Sequence, residues 1–123
     1  MESHKDIARN FLMLTAKGKA HHAFDLYAAA DIKHHNVFFK GDAESIITAM
    51  DDNARKNPEL TLDIKLVIQE SNMVAVHSHV KMNGEDPGAA LVHIFRFEND
   101  KIAELWDLAQ PVPADAVNEN GMF

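Results

Sequence analysis

Two side chains that can carry out acid/base chemistry, His93 and Asp107, lie 14 residues apart in a stretch with the pattern of a single β-hairpin. Apolar residues that favour strands run from 92 to 97 and again from 102 to 108. The segment 98–101 between them consists of residues that favour turns. The sequence therefore predicts an imidazole and a carboxylate on neighbouring antiparallel strands.

The register of this hairpin decides whether the two side chains meet. A two-residue loop would place Phe95 opposite Glu104, whereas a three-residue loop at 99–101 places Arg96 opposite Glu104. Opposite charges that face each other stabilise a sheet by roughly 0.2–1 kcal/mol, and a carboxylate against a phenyl ring gains nothing comparable. The three-residue loop is therefore predicted, although its last position usually favours Gly and here is Lys101.

The predicted register places the imidazole and the carboxylate side by side on an otherwise apolar face. That face consists of Leu91, His93, Phe95, Phe97, Ala103, Leu105, Asp107 and Ala109. A carboxylate and an imidazole in apolar surroundings are the arrangement that a general acid/base needs near neutral pH. The structural alternative is a buried hydrogen bond that satisfies two polar groups and does no chemistry.

The composition is that of one globular domain, residues 1–123, with 46% hydrophobic and 25% charged residues. A net charge of −7 without a Lys/Arg cluster argues against nucleic acid or an anionic membrane as a partner. The absence of Cys excludes disulfides, thiolate zinc sites and a Cys nucleophile. Because no apolar run approaches the roughly 20 residues that span a bilayer, a cytoplasmic location is predicted.

The order of predicted elements is that of an α+β fold, with helices gathered on one face of a sheet. Helical periodicity and capping residues predict helices at about residues 3–17, 19–29 and 42–56. Alternating patterns predict strands at about residues 32–39, 59–69, 73–83, 89–98 and 102–110, followed by a tail at 111–123. Leu60, Leu62, Ile64, Leu66 and Ile68 are predicted to share one buried face. A cavity between the helices and the sheet would be the default ligand site.

The chain resembles the SnoaL-like polyketide cyclase group of the nuclear transport factor 2-like superfamily over essentially its whole length. The likeness rests on the order of elements, on Lys33-His34-His35-Asn36 after the second helix, and above all on HIFRFENDKIAELWDLAQPVP. The fold it implies is a curved antiparallel sheet wrapped around three N-terminal helices, a cone-shaped, cystatin-like roll that encloses a pocket. It also implies a homodimer formed through the outer face of the sheet.

The resemblance assigns roles to the two hairpin residues. SnoaL-type cyclases close a ring by intramolecular aldol condensation, and the resemblance implies neither a metal ligand nor a cofactor. Their acid/base Asp on the last strand and their His on the strand before it match Asp107 and His93. The chain departs from many relatives in having Leu105 where they have a second His. Because the superfamily also contains isomerases, dehydratases, epoxide hydrolases and non-catalytic binders, function has to be argued from the site.

Two hypotheses use the predicted cavity. The first is cofactor-free proton transfer on a small hydrophobic carbonyl compound, an aldol cyclisation or isomerisation, with Asp107 as the base. His93 would hold Asp107 or donate to the developing enolate oxygen. The residues predicted to contact the substrate are His35, Asn36, Tyr27, Phe39, Phe95 and Leu105. The second hypothesis is a binding module that holds a ligand in the same cavity without chemistry.

A third hypothesis is a metal site, because imidazole and carboxylate groups suit zinc, iron or manganese. Its ligands would be His77, His79, Glu85 and His93. The alternation of the strands argues against it, since it places the first two histidines and His93 on opposite faces of the sheet. The outer face, with Trp106, Ile102 and Leu108, is predicted to be apolar enough to need a partner.

Overall fold

In the computed structural model, which describes residues 2–123, three helices pack against one face of a five-stranded sheet. The elements are α1 (His4–Ala16), α2 (Ala20–Tyr27), β1 (Ala28–His34), α3 (Ala43–Lys56), β2 (Thr61–Glu70), β3 (Met73–Lys81), β4 (Ala89–Glu98) and β5 (Lys101–Pro111). The predicted α+β class, with three helices and a curved sheet, is confirmed. None of the helices in residues 2–123 combines the length and the apolar character needed to cross a membrane.

The strand order in the sheet is β1-β5-β4-β3-β2. Strands β2 to β5 form an antiparallel meander in chain order, and β1 joins its far edge by parallel pairing with β5. The last strand is therefore paired on both sides as far as Leu105, and Asp107 follows at a position where β4 pairs with it and β1 has already ended.

Helices α1 and α3 begin at the residues that the sequence indicates. The Ser3 hydroxyl accepts a hydrogen bond from the Asp6 backbone N–H at 3.1 Å, and the Asp42 carboxylate accepts one from the Ser45 N–H at 2.9 Å. Each of these bonds satisfies a donor that the helix itself leaves without a partner. The local sequence therefore determines where both helices begin.

The apolar core lies between the three helices and the sheet. Phe11 of α1 is fully buried, with its ring centroid 5.0 Å from Phe24 of α2 and 5.7 Å from Phe95 of β4. Burying a side chain of this size stabilises the fold by about 1.5–3 kcal/mol. This cluster fixes the helices against the inner face of the sheet.

The first strand lies earlier in the chain than predicted. The expected helix at 19–29 ends at Tyr27, and the expected strand at 32–39 occupies Ala28–His34. Residues 28–30 are alanines, which favour helix, but parallel pairing with β5 gives their backbone extended partners. Tertiary pairing therefore overrides local propensity, and the chain leaves the sheet after His34.

The turn between β4 and β5 has two residues rather than the predicted three. Asn99 and Asp100 have φ angles of 50° and 61°, and Glu98 pairs with Lys101. Two successive left-handed residues are what a type I′ hairpin turn requires, and Asn and Asp tolerate that backbone. The predicted loop length is therefore wrong.

A β-bulge restores the predicted register beyond this turn. Phe97 pairs with Ile102 and Arg96 pairs with Glu104, which leaves Ala103 without a partner on β4. The extra residue compensates for the shorter turn, so the pairing from Glu104 onwards is the predicted one. The bulge also places Ile102 in the core, fully buried, whereas the sequence suggested the outer face.

A second irregularity, between Ile64 and Leu66 of β2, changes which residues face the core. Beyond it Leu66 and Ile68 are 56% and 61% exposed, while Val67 packs against the core. A bulge reverses the side-chain alternation because it inserts one unpaired residue. The prediction that five alternating leucines and isoleucines share a buried face is wrong for the last two.

The C-terminal tail returns along the outer face of the sheet. The ring of Phe123 stacks on His79 with centroids 4.2 Å apart and on His77 at 5.5 Å. The Lys65 ammonium lies 5.6 Å from the centre of the same ring. The tail therefore covers part of the outer face and lies away from the cavity on the helical side.

Candidate active site

His93 and Asp107 are directly opposed on β4 and β5, and both line a cavity of about 320 Å³ between the sheet and the helices. Nε2 of His93 lies 3.4 Å from Oδ1 of Asp107, and the two side chains are 6% and 19% exposed. This separation is slightly longer than a usual N–H···O hydrogen bond. The carboxylate is therefore close to the imidazole and still open to the cavity.

Asn36 holds the second oxygen of the Asp107 carboxylate. Its side-chain Nδ2 donates a 2.9 Å hydrogen bond to Oδ2, and its Oδ1 accepts one from the Phe38 N–H at 3.1 Å. The second bond fixes which end of the amide is the donor, because the oxygen is already occupied. Asp107 therefore has one oxygen held by an amide and the other facing His93.

His34 anchors the loop that carries Asn36. Its Nδ1 accepts a hydrogen bond from the Asn36 N–H at 3.2 Å, and its Nε2 lies 2.6 Å from the carbonyl oxygen of Lys40 and 3.1 Å from that of Asp42. An imidazole protonated at Nε2 satisfies all three contacts. Since this side chain is only 8% exposed, it fixes the loop to the end of β1.

The electrostatic environment favours a neutral imidazole at His93. Burial lowers the pKa of His93 below its ordinary value of 6.5 because desolvation penalises the charged form, and the nearby Asp107 carboxylate offsets part of this effect. A neutral imidazole has one N–H donor and one acceptor nitrogen. His93 can then donate from Nε2 towards the carboxylate or towards a substrate oxygen.

The rest of the cavity wall is largely apolar. Its lining consists of Leu12, Thr15, Ala16, Asn36, Val37, Phe38, Met50, Asn53, Ala54, Leu60, Leu62, Val80, Met82, Leu91, His93, Asp107 and Ala109. Among these described residues Asp107 is the one carboxylate, and none is Lys or Arg. The site therefore offers a polar cluster at the sheet and an apolar enclosure for the remainder of a ligand.

The sequence profile described as SnoaL-like polyketide cyclase matches residues 6–115 of the chain. The chain belongs to the SnoaL-like polyketide cyclase family. No curated protein matches its sequence. The family assignment confirms the resemblance predicted from the sequence.

Solved structures similar to this SnoaL-like protein share its fold at low sequence identity. AclR from Streptomyces galilaeus is 20% identical, with a TM-score of 0.72 and coverage of 87% of this chain and 88% of that one. A SnoaL-like polyketide cyclase from Agrobacterium tumefaciens is 17% identical, with a TM-score of 0.67 and coverage of 89% and 93%. A cystatin-fold protein from Novosphingobium aromaticivorans is 18% identical, with a TM-score of 0.69 and coverage of 88% and 99%.

Of the six residues predicted to contact a substrate, the SnoaL-like fold brings Asn36 into the cavity lining. His35 instead points to the outer side, where Nε2 contacts a Glu104 oxygen at 2.6 Å and the ring stacks on Trp106 with centroids 5.0 Å apart. Consecutive residues of an extended segment point to opposite sides, so His34 and His35 cannot both face inwards. The outward position of His35 follows from the inward position of His34.

The other four predicted contacts also lie outside the lining. Phe95 and Leu105 are buried in the core, 0% and 1% exposed, where helix side chains cover them. Tyr27 directs its hydroxyl to the Glu2 carboxylate at 3.3 Å, and Phe39 is 45% exposed beyond the loop. The cavity therefore lies at one end of the inner face of the sheet, and the apolar core covers the other end.

Two residues of the lining, Val37 and Phe38, lie within the segment 32–39 that the sequence predicts as a strand. They are 88% and 85% exposed, which places them where the cavity opens to solvent. The turn signal Lys40-Gly41 follows them in the sequence, but nothing local shows that the strand ends before them. Their place at the opening comes from the way that His34 holds the loop.

The residues of the metal hypothesis are not brought together. His77 and His79 contact Phe123 on the outer face, whereas His93 lies on the inner face. Within residues 2–123, no group of three or more His, Asp or Glu side chains has an arrangement that could hold a metal ion. The predicted separation of these histidines by strand alternation is therefore observed.

Proposed function

We propose that this SnoaL-like protein is an enzyme that carries out cofactor-free acid/base chemistry on a small hydrophobic carbonyl compound. The reaction type is an aldol cyclisation or an isomerisation. The observation that carries the proposal is the His93–Asp107 pair, with Nε2 and Oδ1 3.4 Å apart, in a largely apolar cavity. A carboxylate and a neutral imidazole on one wall supply a base and a hydrogen-bond donor.

The chemistry begins with proton removal by Asp107. Its carboxylate takes a proton from a carbon next to the substrate carbonyl, and the C–H electron pair moves to form an enolate. In an isomerisation, the protonated Asp107 returns the proton to a different carbon of the conjugated system. In an aldol cyclisation, the enolate carbon forms a bond to a second carbonyl carbon, and the resulting alkoxide takes the proton from Asp107.

His93 and Asn36, the neighbours of Asp107, are placed where they can assist both reactions. The N–H at Nε2 of His93 can donate to the enolate oxygen as negative charge develops there. The Asn36 amide, at 2.9 Å from Oδ2, keeps the carboxylate in one orientation while Oδ1 remains towards the cavity. Fixing the base relative to the substrate removes part of the entropic cost of the reaction.

The charge of the lining supports an uncharged substrate. Among the described residues of the lining there is one carboxylate and no Lys or Arg, so a substrate carboxylate or phosphate would find no cation there. An anion brought into a largely apolar cavity beside Asp107 loses its hydration and meets a like charge. Neutral ketones, lactones and esters are therefore the expected class.

Exchange of α-protons for deuterium provides a test that does not require the product to be known. Wild-type protein is incubated in D₂O with a panel of neutral ketones and esters that fit about 320 Å³, and exchange is followed by NMR. Asp107→Asn keeps the shape and removes the base, so exchange should fall about 10²- to 10⁴-fold. Asp31→Asn, on the exposed side of β1, is the matched control and should exchange like wild type.

An unchanged exchange rate in Asp107→Asn would contradict the mechanism. Saturable binding of panel members by wild type without any exchange would instead support the binding-module hypothesis, in which the His–Asp pair only orients a ligand. The two results separate chemistry from recognition because binding and exchange are measured on the same compounds.

We also propose a homodimer formed through the outer face of the sheet and a cytoplasmic location. Leu66, Ile68 and Leu108 are 56%, 61% and 60% exposed on that face, and exposed apolar groups of this kind favour a partner surface. Light scattering should give twice the monomer mass for wild type and the monomer mass for Leu66→Lys/Ile68→Lys. Leu26→Lys, at a 43% exposed position of helix α2 on the other side of the sheet, is the control and should remain dimeric.

A further inference from the structure

Two buried polar atoms of the described residues have no hydrogen-bond partner, Oγ of Ser78 and Nδ1 of His93. The two residues are 0% and 5% exposed, so bulk water does not satisfy these atoms. A buried hydroxyl or imidazole nitrogen that has no partner has lost its hydration without a replacement, which destabilises the folded state. Such atoms in a folded protein call for an explanation.

The two atoms belong to neighbouring strands and the same face of the sheet. Val76 pairs with His93, and Ser78 pairs with Leu91, so Ser78 and His93 are diagonal neighbours across β3 and β4. Ser78 continues the buried alternation of β3 on the inner side. Diagonal neighbours have Cα atoms about 7–8 Å apart, within reach of an imidazole and a short side chain.

The protonation of the imidazole determines whether Nδ1 of His93 requires a hydrogen-bond donor or an acceptor. Nε2 of His93 faces the Asp107 carboxylate at 3.4 Å, and this contact is favourable when Nε2 carries the proton. Because a neutral imidazole has a single N–H, Nδ1 is then an acceptor that requires a donor. Desolvation, which lowers the pKa of His93, supports the neutral form. The Ser78 hydroxyl is the other buried polar group without a partner among the described residues, and it occupies the diagonal position on the neighbouring strand.

We propose that Ser78 is a positioning residue that fixes the tautomer of His93. Its hydroxyl is linked to Nδ1 through one bridging water, which donates to the nitrogen, and this contact keeps the imidazole proton at Nε2, towards Asp107. Ser78, His93 and Asp107 then form a polar line across three neighbouring strands, β3, β4 and β5. The inference rests on the proposed function, because the tautomer decides whether His93 can donate to an enolate.

The tautomer of His93 can be observed by NMR without any substrate. In ¹⁵N-labelled protein above neutral pH, long-range ¹H–¹⁵N correlations distinguish a protonated ring nitrogen from an unprotonated one. The His93 signals are assigned by their loss in His93→Gln. The expected wild-type pattern is an unprotonated Nδ1, shifted by a hydrogen bond, and a protonated Nε2. A protonated Nδ1 in wild type would overturn the proposal.

A matched pair of variants isolates the hydroxyl. Ser78→Thr and Ser78→Val have side chains of the same shape, and only the first keeps the donor. We expect Ser78→Thr to retain the wild-type tautomer and Ser78→Val to give a mixture of tautomers. Ser78→Ala, which is smaller than serine and cannot overfill the site, should behave like the valine variant. Identical His93 spectra in wild type, Ser78→Ala and Ser78→Val would overturn the proposal.

The readout separates this inference from the proposed function. If α-proton exchange is absent in wild type while the tautomer still depends on the hydroxyl, the function is wrong and the role of Ser78 stands. If exchange depends on Asp107 while the tautomer of His93 is the same with and without the Ser78 hydroxyl, the proposed function is supported and this inference is wrong.

Discussion

Asn36 donates a 2.9 Å hydrogen bond to Oδ2 of Asp107, although the two residues are 71 positions apart in the chain. Asn36 follows the edge strand β1, which pairs with β5, and β5 carries Asp107. The parallel pairing of these strands is therefore what brings the amide to the carboxylate. An orienting contact of this kind gives the loop after β1 a direct influence on the proposed base.

Removing the Asn36 amide should slow proton transfer. A hydrogen bond to a charged group contributes about 1.5–3 kcal/mol, so Asn36→Ala should reduce α-proton exchange about 10- to 100-fold if the orientation matters in the transition state. Asn53→Ala is the control, since Asn53 lines the same cavity without contacting Asp107. Equal exchange rates in the two variants would show that Asn36 does not orient the base.

The stability of the protein should decline on mild acidification because of His93. Burial holds its folded-state pKa below 6.5, so between the folded value and 6.5 the unfolded chain binds more protons than the folded one. The contribution of His93 to the free energy of unfolding is therefore greatest above pH 6.5, and it decreases as the pH drops towards the pKa of His93 in the folded protein. Urea titrations from about pH 7 to about pH 5 should show a smaller decline in His93→Gln than in wild type. Equal declines would contradict this assignment.

The cavity should bind neutral ligands more tightly than negatively charged ligands of similar size. A methyl ester and its free acid differ little in size, but the acid would place a second carboxylate beside Asp107 in a lining without Lys or Arg. We expect the ester to bind at least about tenfold more tightly, equivalent to about 1.4 kcal/mol. Ligand-observed NMR titration of such pairs measures the ratio, and Asp107→Asn should reduce it. A preference for the acid would exclude the proposed substrate class.

Gly88, just before β4, should not accept a side chain. Its φ is +80°, and an added Cβ would lie 2.1 Å from the carbonyl oxygen of Val80. The left-handed backbone alone costs an L-residue about 1–2 kcal/mol, and the clash adds to it. Gly88→Ala should therefore lower the free energy of unfolding by at least about 2 kcal/mol. Gly84→Ala, with no atom within 4 Å of the added Cβ, should stay close to wild type in the same denaturation experiment.

Much of the fold could be predicted because its signals are local. The caps at Ser3 and Asp42 mark two helix starts, and alternation marks four of the strands within a few residues. The first strand was misplaced because three alanines carry no strand signal, and only parallel pairing with β5 makes them extended. Local propensity therefore fails where a distant strand supplies the hydrogen bonds.

The opposition of His93 and Asp107 could also be predicted, although the predicted three-residue loop is wrong. Charge pairing of Arg96 with Glu104 identified the register, and Nε of Arg96 does contact a Glu104 oxygen at 3.1 Å. The structure reaches that register through a two-residue turn and a bulge at Ala103. The pairing of Arg96 with Glu104 is the same whether the extra residue of β5 lies in the turn or in a bulge, so the predicted register is observed although the predicted turn is wrong.

The sequence by itself determined the α+β class, the family, and the opposition of His93 and Asp107, because periodicity, caps and charge pairing act between neighbouring residues or neighbouring strands. Only the tertiary structure decided that Asn36 holds the carboxylate, that Phe95 and Leu105 belong to the core, and that the loop with Val37 opens the cavity. These features depend on how helices and an edge strand pack against the sheet. Contacts between distant segments produce no periodic pattern in the sequence, so they cannot be predicted from it.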